Sequence, residues 1–244
     1  MTPRLTWLGH STVLVELGGQ RLLTDPALRG RVFHLRRHGE PPGPPESIDA
    51  VLISHLHIEH LDLPSLRMLE PQPRVVCPTG SGALLVRAGF PEPIELLPGE
   101  SVALGDVRVT ATPAEHRGTR RPGGPEVRPL GFVLRAERSI YFAGDTDLFD
   151  EMSELGPVDV ALLPVAGYSP KLGTGHLDAD RAARAAALIR PRMAVPIHWG
   201  TFHPLTQTRG DWFTRPPAVF AAQVAELAPE VEVCVLAPGE AVDL

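Results

Sequence analysis

The residues of this chain best suited to chemistry stand together in Ser54-His55-Leu56-His57-Ile58-Glu59-His60-Leu61-Asp62. Three imidazoles and a carboxylate within six residues form a donor set for a metal ion. Imidazole suits zinc, iron, copper and nickel, and the carboxylate widens the choice toward manganese. His55 and His57 project to one side if the chain stays extended. Glu59 and His60 follow where the backbone turns, so a second face of the loop can meet a second ion. The stretch directly follows Ile48-Asp49-Ala50-Val51-Leu52-Ile53, which reads as a buried strand. A histidine cluster that lies mid-chain against a buried strand reads as a metal nest rather than a surface accident.

Other ligand-type residues recur at the same place relative to a strand. His116 follows 107–113, Asp145 follows 139–143 and His198 follows 192–197, each an apolar strand-like run. A lone histidine after a strand is usually structural or solvated. Taken with the first cluster, the three become candidate ligands gathered from strand ends on one rim of a sheet.

The elements that must position them alternate along the chain. Three short strands over 4–25 are separated by Gly9-His10-Ser11 and by the hairpin signal Gly18-Gly19. Residues 27–47 lose periodicity, carry Arg36, Arg37 and four further Arg and His residues, and run into Pro41-Pro42-Gly43-Pro44-Pro45, which predicts a long surface excursion. Strands are predicted at 74–77, across 94–114, at 131–135, 139–143, 158–165, 192–197 and 231–236. Helices are predicted at 64–70, 81–88, 178–190, with Asp178 as N-cap, and 218–227. Hairpins at 12–25 and 100–111 favour two sheets packed together and covered outside by helices, an α/β (α+β) four-layer αββα sandwich spanning 1–244 as one domain. A single doubly wound sheet is the competing expectation.

Composition narrows the function. The 244 residues carry 23 Lys and Arg against 29 Asp and Glu, a formal charge of −6 that argues against a generally basic nucleic-acid binder. No run approaches the apolar length of a membrane span, and the N-terminus lacks a signal peptide's apolar core, so a cytoplasmic location without stable membrane insertion is expected. Cys77 and Cys234, each in an apolar run, read as small buried hydrophobes rather than a disulfide.

His55-x-His57-x-Glu59-His60 with His116, Gly144-Asp145 and His198 resembles the metallo-β-lactamase superfamily of metal-dependent hydrolases. Trp7-Leu8-Gly9-His10-Ser11-Thr12, Leu23-Thr24-Asp25-Pro26, Ala143-Gly144-Asp145-Thr146, Leu163-Pro164-Val165-Ala166-Gly167-Tyr168 and Ile197-His198-Trp199-Gly200-Thr201-Phe202 resemble the branch holding N-acyl-phosphatidylethanolamine phospholipase D and lactonases acting on phosphorylated ascorbate. The likeness spans roughly residues 5–205 and is closest to the phospholipase side. It implies the metallo-β-lactamase fold with two divalent ions, zinc first and manganese or iron(II) as alternatives, at one edge of the sheets.

By position, the resemblance gives His55, His57 and His116 to one ion, Glu59, His60 and His198 to the second, and Asp145 to both. It departs from the family at Glu59, where Asp is usual. The extra methylene is expected to reposition or weaken the second site. The implied reaction is attack by a metal-bridged hydroxide on an anionic ester, with a small phosphodiester favoured over a lactone. A non-catalytic metal sensor on the same fold is the reading from another class. His176, in a glycine loop before a helix, is the candidate proton donor. His10, Asp25, Asp62 and Tyr168 read as residues behind the ligands or at the substrate rim. Arg36, Arg37, Arg117, Arg120 and Arg121 read as solvated loop charge or as cations round an anionic group. A homo-oligomer is compatible with the sequence.

Overall fold

Adjacent residues of the central strands are buried on opposite sides, so each sheet is covered twice. Leu22 joins one apolar cluster and Leu23 another, and the same split separates Leu52 from Val51, Phe142 from Tyr141 and Leu162 from Leu163. The computed structural model describes residues 2–120, 126–169, 171–206 and 210–244.

The first half contributes β1 (Arg4–Gly9), β2 (Thr12–Leu17), β3 (Gln20–Thr24), the short pair β4 (Arg31–Val32) and β5 (Leu35–Arg37), then β6 (Ala50–Leu52), helix α1 (Leu63–Leu66), β7 (Arg74–Pro78), α2 (Gly82–Arg87) and β8 (Ile94–Leu96). The second half contributes β9 (Ser101–Leu104), β10 (Val107–Pro113), β11 (Leu130–Arg135), β12 (Ser139–Phe142), a 3₁₀ turn (Asp150–Glu154), β13 (Val160–Pro164), α3 (Ala179–Ile189), β14 (Met193–Ile197), β15 (Phe202–Pro204), α4 (Asp211–Thr214), α5 (Pro216–Leu227), β16 (Glu232–Val233) and β17 (Ala241–Asp243). Two seven-stranded sheets result, in the orders β17-β1-β2-β3-β6-β7-β8 and β16-β14-β13-β12-β11-β10-β9.

Trp7, Val15, Leu22 and Leu52 of the first sheet meet Val109, Phe132, Phe142 and Leu162 of the second in the shared core. Outside the first sheet, Leu66 of α1 and Leu85 of α2 cover Leu23, Val51 and Val75. Outside the second, Ala182, Ala186 and Ile189 of α3 and Phe220 of α5 cover Tyr141, Ala161 and Leu163. The layer order is therefore αββα, and the single doubly wound sheet is excluded. Asp178 caps α3 by accepting from the Arg181 N–H at 2.8 Å, as its type and position predict.

Two differences from the sequence reading stand out. Residues 27–47 are not a plain surface excursion, because β4 and β5 pair with β15 in a third small sheet. Val32 and Leu35 bury there with Ala27 and Phe202, an apolar contribution hidden among charges and too short to show periodicity. The strand predicted at 231–236 is only Glu232–Val233, and a further strand, β17, closes the first sheet by pairing Leu5 with Val242. Cys77 and Cys234 are free thiols, the first buried and the second half-buried. Among the described residues no helix is long and apolar enough to cross a membrane.

Candidate metal centre

Both sheets send parallel strands to one edge, and the loops leaving their carboxyl ends carry the ligand-type residues. Asp25 follows β3, His55 follows β6, Asp145 follows β12 and His198 follows β14, while His116 leaves β10 and His10 sits in the β1–β2 turn. The two sheets approach closely at this edge because Gly144 lacks a side chain. Its φ of +62° is in the left-handed region, and a Cβ there would come 2.6 Å from the Ser54 Cβ. Asp145 is thereby brought over the histidine loop.

One ring nitrogen of each principal histidine is tied to a fixed acceptor. His116 Nδ1–H donates to the Gly175 carbonyl at 2.7 Å, and His198 Nδ1–H donates to the Ala166 carbonyl at 2.7 Å. His60 Nδ1 lies 2.8 Å from Asp25 Oδ2. Asp25 is held in turn by the Ser54 N–H at 2.7 Å and the Ser54 hydroxyl at 2.5 Å. With its proton on Asp25, Ser54 Oγ accepts from His55 Nδ1–H at 2.9 Å. Carbonyls and carboxylates can only accept, so the proton sits on Nδ1 and the Nε2 lone pair of each ring is left for the interior.

Those free atoms converge. His60 Nε2 and His198 Nε2 are 3.3 Å apart, and His116 Nε2 is 3.2 Å from His57 Nδ1. Asp145 lies between, with Oδ2 3.3 Å from His60 Nε2 and Oδ1 3.2 Å from His198 Nε2. Two nitrogens bound tetrahedrally at zinc distances are about 3.3–3.4 Å apart, so these separations suit a shared ion. Among the described residues, His55 Nε2, His10 Nε2 and Asp145 Oδ1 are buried without a hydrogen-bond partner, and buried polar atoms seldom remain so. The donor set thus fits divalent metal ions.

Charge agrees with this arrangement at His57 and His198, whereas His60 has a proton to give up before its Nε2 can bind an ion. Burial pushes the His57 and His198 imidazoles down to about 4, leaving both neutral and able to donate a lone pair. Burial also works against a charge on His60, but Asp145 and then Asp25 outweigh it and hold its pKa well above the ordinary value. For Asp145 burial opposes ionisation, yet His198 and His60 keep the carboxyl well below its usual range.

The structure brings together His55, His57 and His116, with ligand atoms within 4.8 Å of one another, and His116 with Asp145 and His176 on the same criterion. It groups His60 and His198 with His10, not with Glu59. Glu59 belongs to no such group among the described residues; burial raises the pKa of its carboxyl, and among its charged neighbours His60 opposes this most. His176 Nε2 is 3.6 Å from Asp145 Oδ2 on the open side, with Nδ1 3.2 Å from the Gly173 carbonyl. Tyr168 lies beside the small-sheet cluster, its hydroxyl pushed up to about 12 by burial and by Glu59 and Asp145.

Asp25 backs a histidine, whereas Asp62 does not. Asp62 caps α1 through the Ser65 N–H at 3.2 Å and takes both arms of Arg29 at 2.7 Å. Arg37 is no loop charge, because its guanidinium is buried against the Leu8, Ala27 and Arg29 carbonyls and the Phe202 ring. Arg120 donates to the Leu56 and Leu61 carbonyls at 3.2 and 2.9 Å and so braces the histidine loop. Arg36 and Arg117 are exposed, and Arg121 lies outside the described residues. Sequence reasoning missed Ser54, Gly175 and Asp147. Asp147 accepts from the Gly175 N–H at 3.1 Å and pairs with Arg181 at 2.6 Å, fixing the carbonyl that holds His116. Its place in Gly144-Asp145-Thr146-Asp147 was the available signal.

Comparison with known proteins agrees with this geometry. Residues 20–199 match the Beta-lactamase superfamily domain. A protein of Opitutus terrae named UPF0173 metal-dependent hydrolase is 36% identical over 252 residues, covering 99% of this chain and 100% of that protein. One of the same name from Nitratidesulfovibrio vulgaris is 32% identical over 254 residues, covering 100% of this chain and 96% of that one. The solved structure of Igni18, described as a novel metallo hydrolase from Ignicoccus hospitalis, is 26% identical with a TM-score of 0.73 and covers 100% of this chain and 99% of its own. The chain belongs to the metallo-β-lactamase superfamily and, within it, to the UPF0173 metal-dependent hydrolase family.

Proposed function

We propose that this chain is a dinuclear metal-dependent hydrolase of a small anionic ester, with a phosphodiester favoured over a lactone. The observation that carries the reading is the common orientation of His55, His60, His116 and His198, each with Nδ1 tied to an oxygen and Nε2 turned inward. Histidines arranged in this way behind fixed acceptors are the usual pattern of ligating rings. His55, His57 and His116 would hold one ion, and His60 and His198 would contribute to the second, with Asp145 reaching both. Divalent ions there supply a Lewis acid for an ester oxygen and lower the pKa of water toward neutrality.

The chain's own groups supply the rest. Asp25 and the Ala166 and Gly175 carbonyls lock ring orientation before substrate arrives. His176, part-exposed beside Asp145, is the group placed to carry the water's proton to the leaving oxygen. Arg117 is exposed in a hollow of about 240 Å³ that it lines with His116, Thr174, Gly175 and the acidic Glu115 and Asp147, the last already paired with Arg181. Preference for a phosphodiester rests on the likeness of Trp7–Thr12 and Ala143–Thr146 to the phospholipase branch. Screening the zinc-loaded protein against bis(p-nitrophenyl) phosphate and simple lactones tests it. Phosphodiester turnover above lactone turnover is expected; lactone turnover alone would reassign the substrate, and inactivity with both ions bound would favour a sensor.

A further inference from the structure

We propose that His10, and not Glu59, is the third protein donor beside His60 and His198 in the second metal site. The inference rests on the dinuclear reading above and deepens it.

Three observations converge on His10. Its ligand atom and those of His60 and His198 lie within 4.8 Å of one another, all three side chains being buried. Its ring centroid is 4.0 Å from that of His198 and 5.0 Å from that of His60. Its Nε2 is buried with no hydrogen-bond partner among the described residues, which a resident cation at this spot would relieve.

The backbone is built to hold the ring there. His10 has φ of +54°, a left-handed conformation that strains a non-glycine residue and persists only when neighbours impose it. The His10 N–H donates to Thr201 Oγ1 at 2.7 Å. Its carbonyl accepts from Trp7 Nε1 at 2.8 Å and from the His198 N–H at 2.9 Å. His10 is thus bonded through its main chain to the very residue whose ring it faces, and His198 itself has φ of +63°. Glu59 lacks this framework. Its carboxylate shares its buried neighbourhood with His34 and Tyr168 as well as with His60 and Asp145, and among the described residues it falls outside every candidate ligand group.

A site of three imidazoles with one carboxylate differs in preference from one with two of each. Replacing an oxygen donor by nitrogen favours zinc, cobalt or nickel over manganese.

The test uses the full chain stripped by chelator and titrated with zinc, with calorimetry and elemental analysis giving stoichiometry and affinity. Wild type and Glu59→Gln are expected to bind two ions each, with affinities within tenfold of each other. His10→Gln is expected to keep one tight ion and to bind the second more than about 100-fold more weakly, beyond the 10–100-fold loss that removal of a mere supporting partner brings. Loss of the second ion in Glu59→Gln, or its retention in His10→Gln within about 100-fold of wild type, overturns the inference. A wild type that binds fewer than two ions overturns the dinuclear reading itself. If His10→Gln does not fold, the ¹⁵N shift of His10 Nε2 in the wild type decides. It moves to a metal-bound value on the second equivalent of zinc if the inference holds, and stays in place if it does not.

Discussion

Asp25 Oδ2 accepts from His60 Nδ1 at 2.8 Å, and this one bond turns His60 Nε2 toward Asp145 and His198. Both residues are fully buried, so no water can substitute for either partner. Asp25→Asn keeps the shape but exchanges a carboxylate for an amide and weakens the hold on the Nδ1 proton. The expected result is a second-site zinc affinity lower by about 10–100-fold, with a smaller loss at the first ion transmitted through Ser54 to His55, measured by calorimetric titration.

Proton competition gives this site a pH dependence. In the metal-free chain Asp145 and Asp25 keep a proton on His60 against the cost of burial, and that proton must leave when an ion binds. His57 and His198, at about 4, have none to lose at neutral pH. Affinity for the second ion therefore rises with pH, by about tenfold per unit, up to the raised pKa of His60 and levels above it. The first site is expected to stay flat from pH 6 to 8. Titrations in two buffers of different ionisation enthalpy would register about one proton released by the second ion.

His176 is separable from metal binding. Its Nε2 faces Asp145 from the open side, and its ring lies 4.6 Å from that of His116. His176→Gln is expected to retain two ions while kcat on a phosphodiester falls by about 100-fold or more, with KM little changed. Stopped turnover combined with lost metal would make it a ligand.

Asp62 illustrates a residue whose chemistry-bearing type misleads. It accepts from the Ser65 N–H, the Ser65 hydroxyl and Arg29 and so fixes the start of α1. Asp62→Ala is expected to cost about 1–2 kcal/mol in urea unfolding from the lost cap, with metal stoichiometry unchanged.

The histidine cluster was legible because local spacing expresses it, and His116, Asp145 and His198 because each abuts an apolar run. Layering was legible in the hairpins at 12–25 and 100–111, which fit two packed sheets better than one doubly wound sheet. What fixes the rings was not legible. Asp25 reaches His60 across 35 positions, and the Ala166 carbonyl reaches His198 across 32, so those bonds exist only once the sheets have packed. Arg37 looked like its exposed neighbour Arg36 until β5 paired with β15 and drew it under Phe202. His10 was legible only as a residue behind the ligands or at the rim, because a single histidine in a turn declares nothing about the two rings that arrive from residues 60 and 198.

The central claim is that two ions act together at this edge of the sandwich. Hydrolysis of bis(p-nitrophenyl) phosphate by the chelator-stripped chain, followed as zinc is added, tests it most directly. The expected rate is negligible at zero, small at one equivalent and maximal at two per chain. A rate that saturates at one equivalent would contradict the dinuclear account.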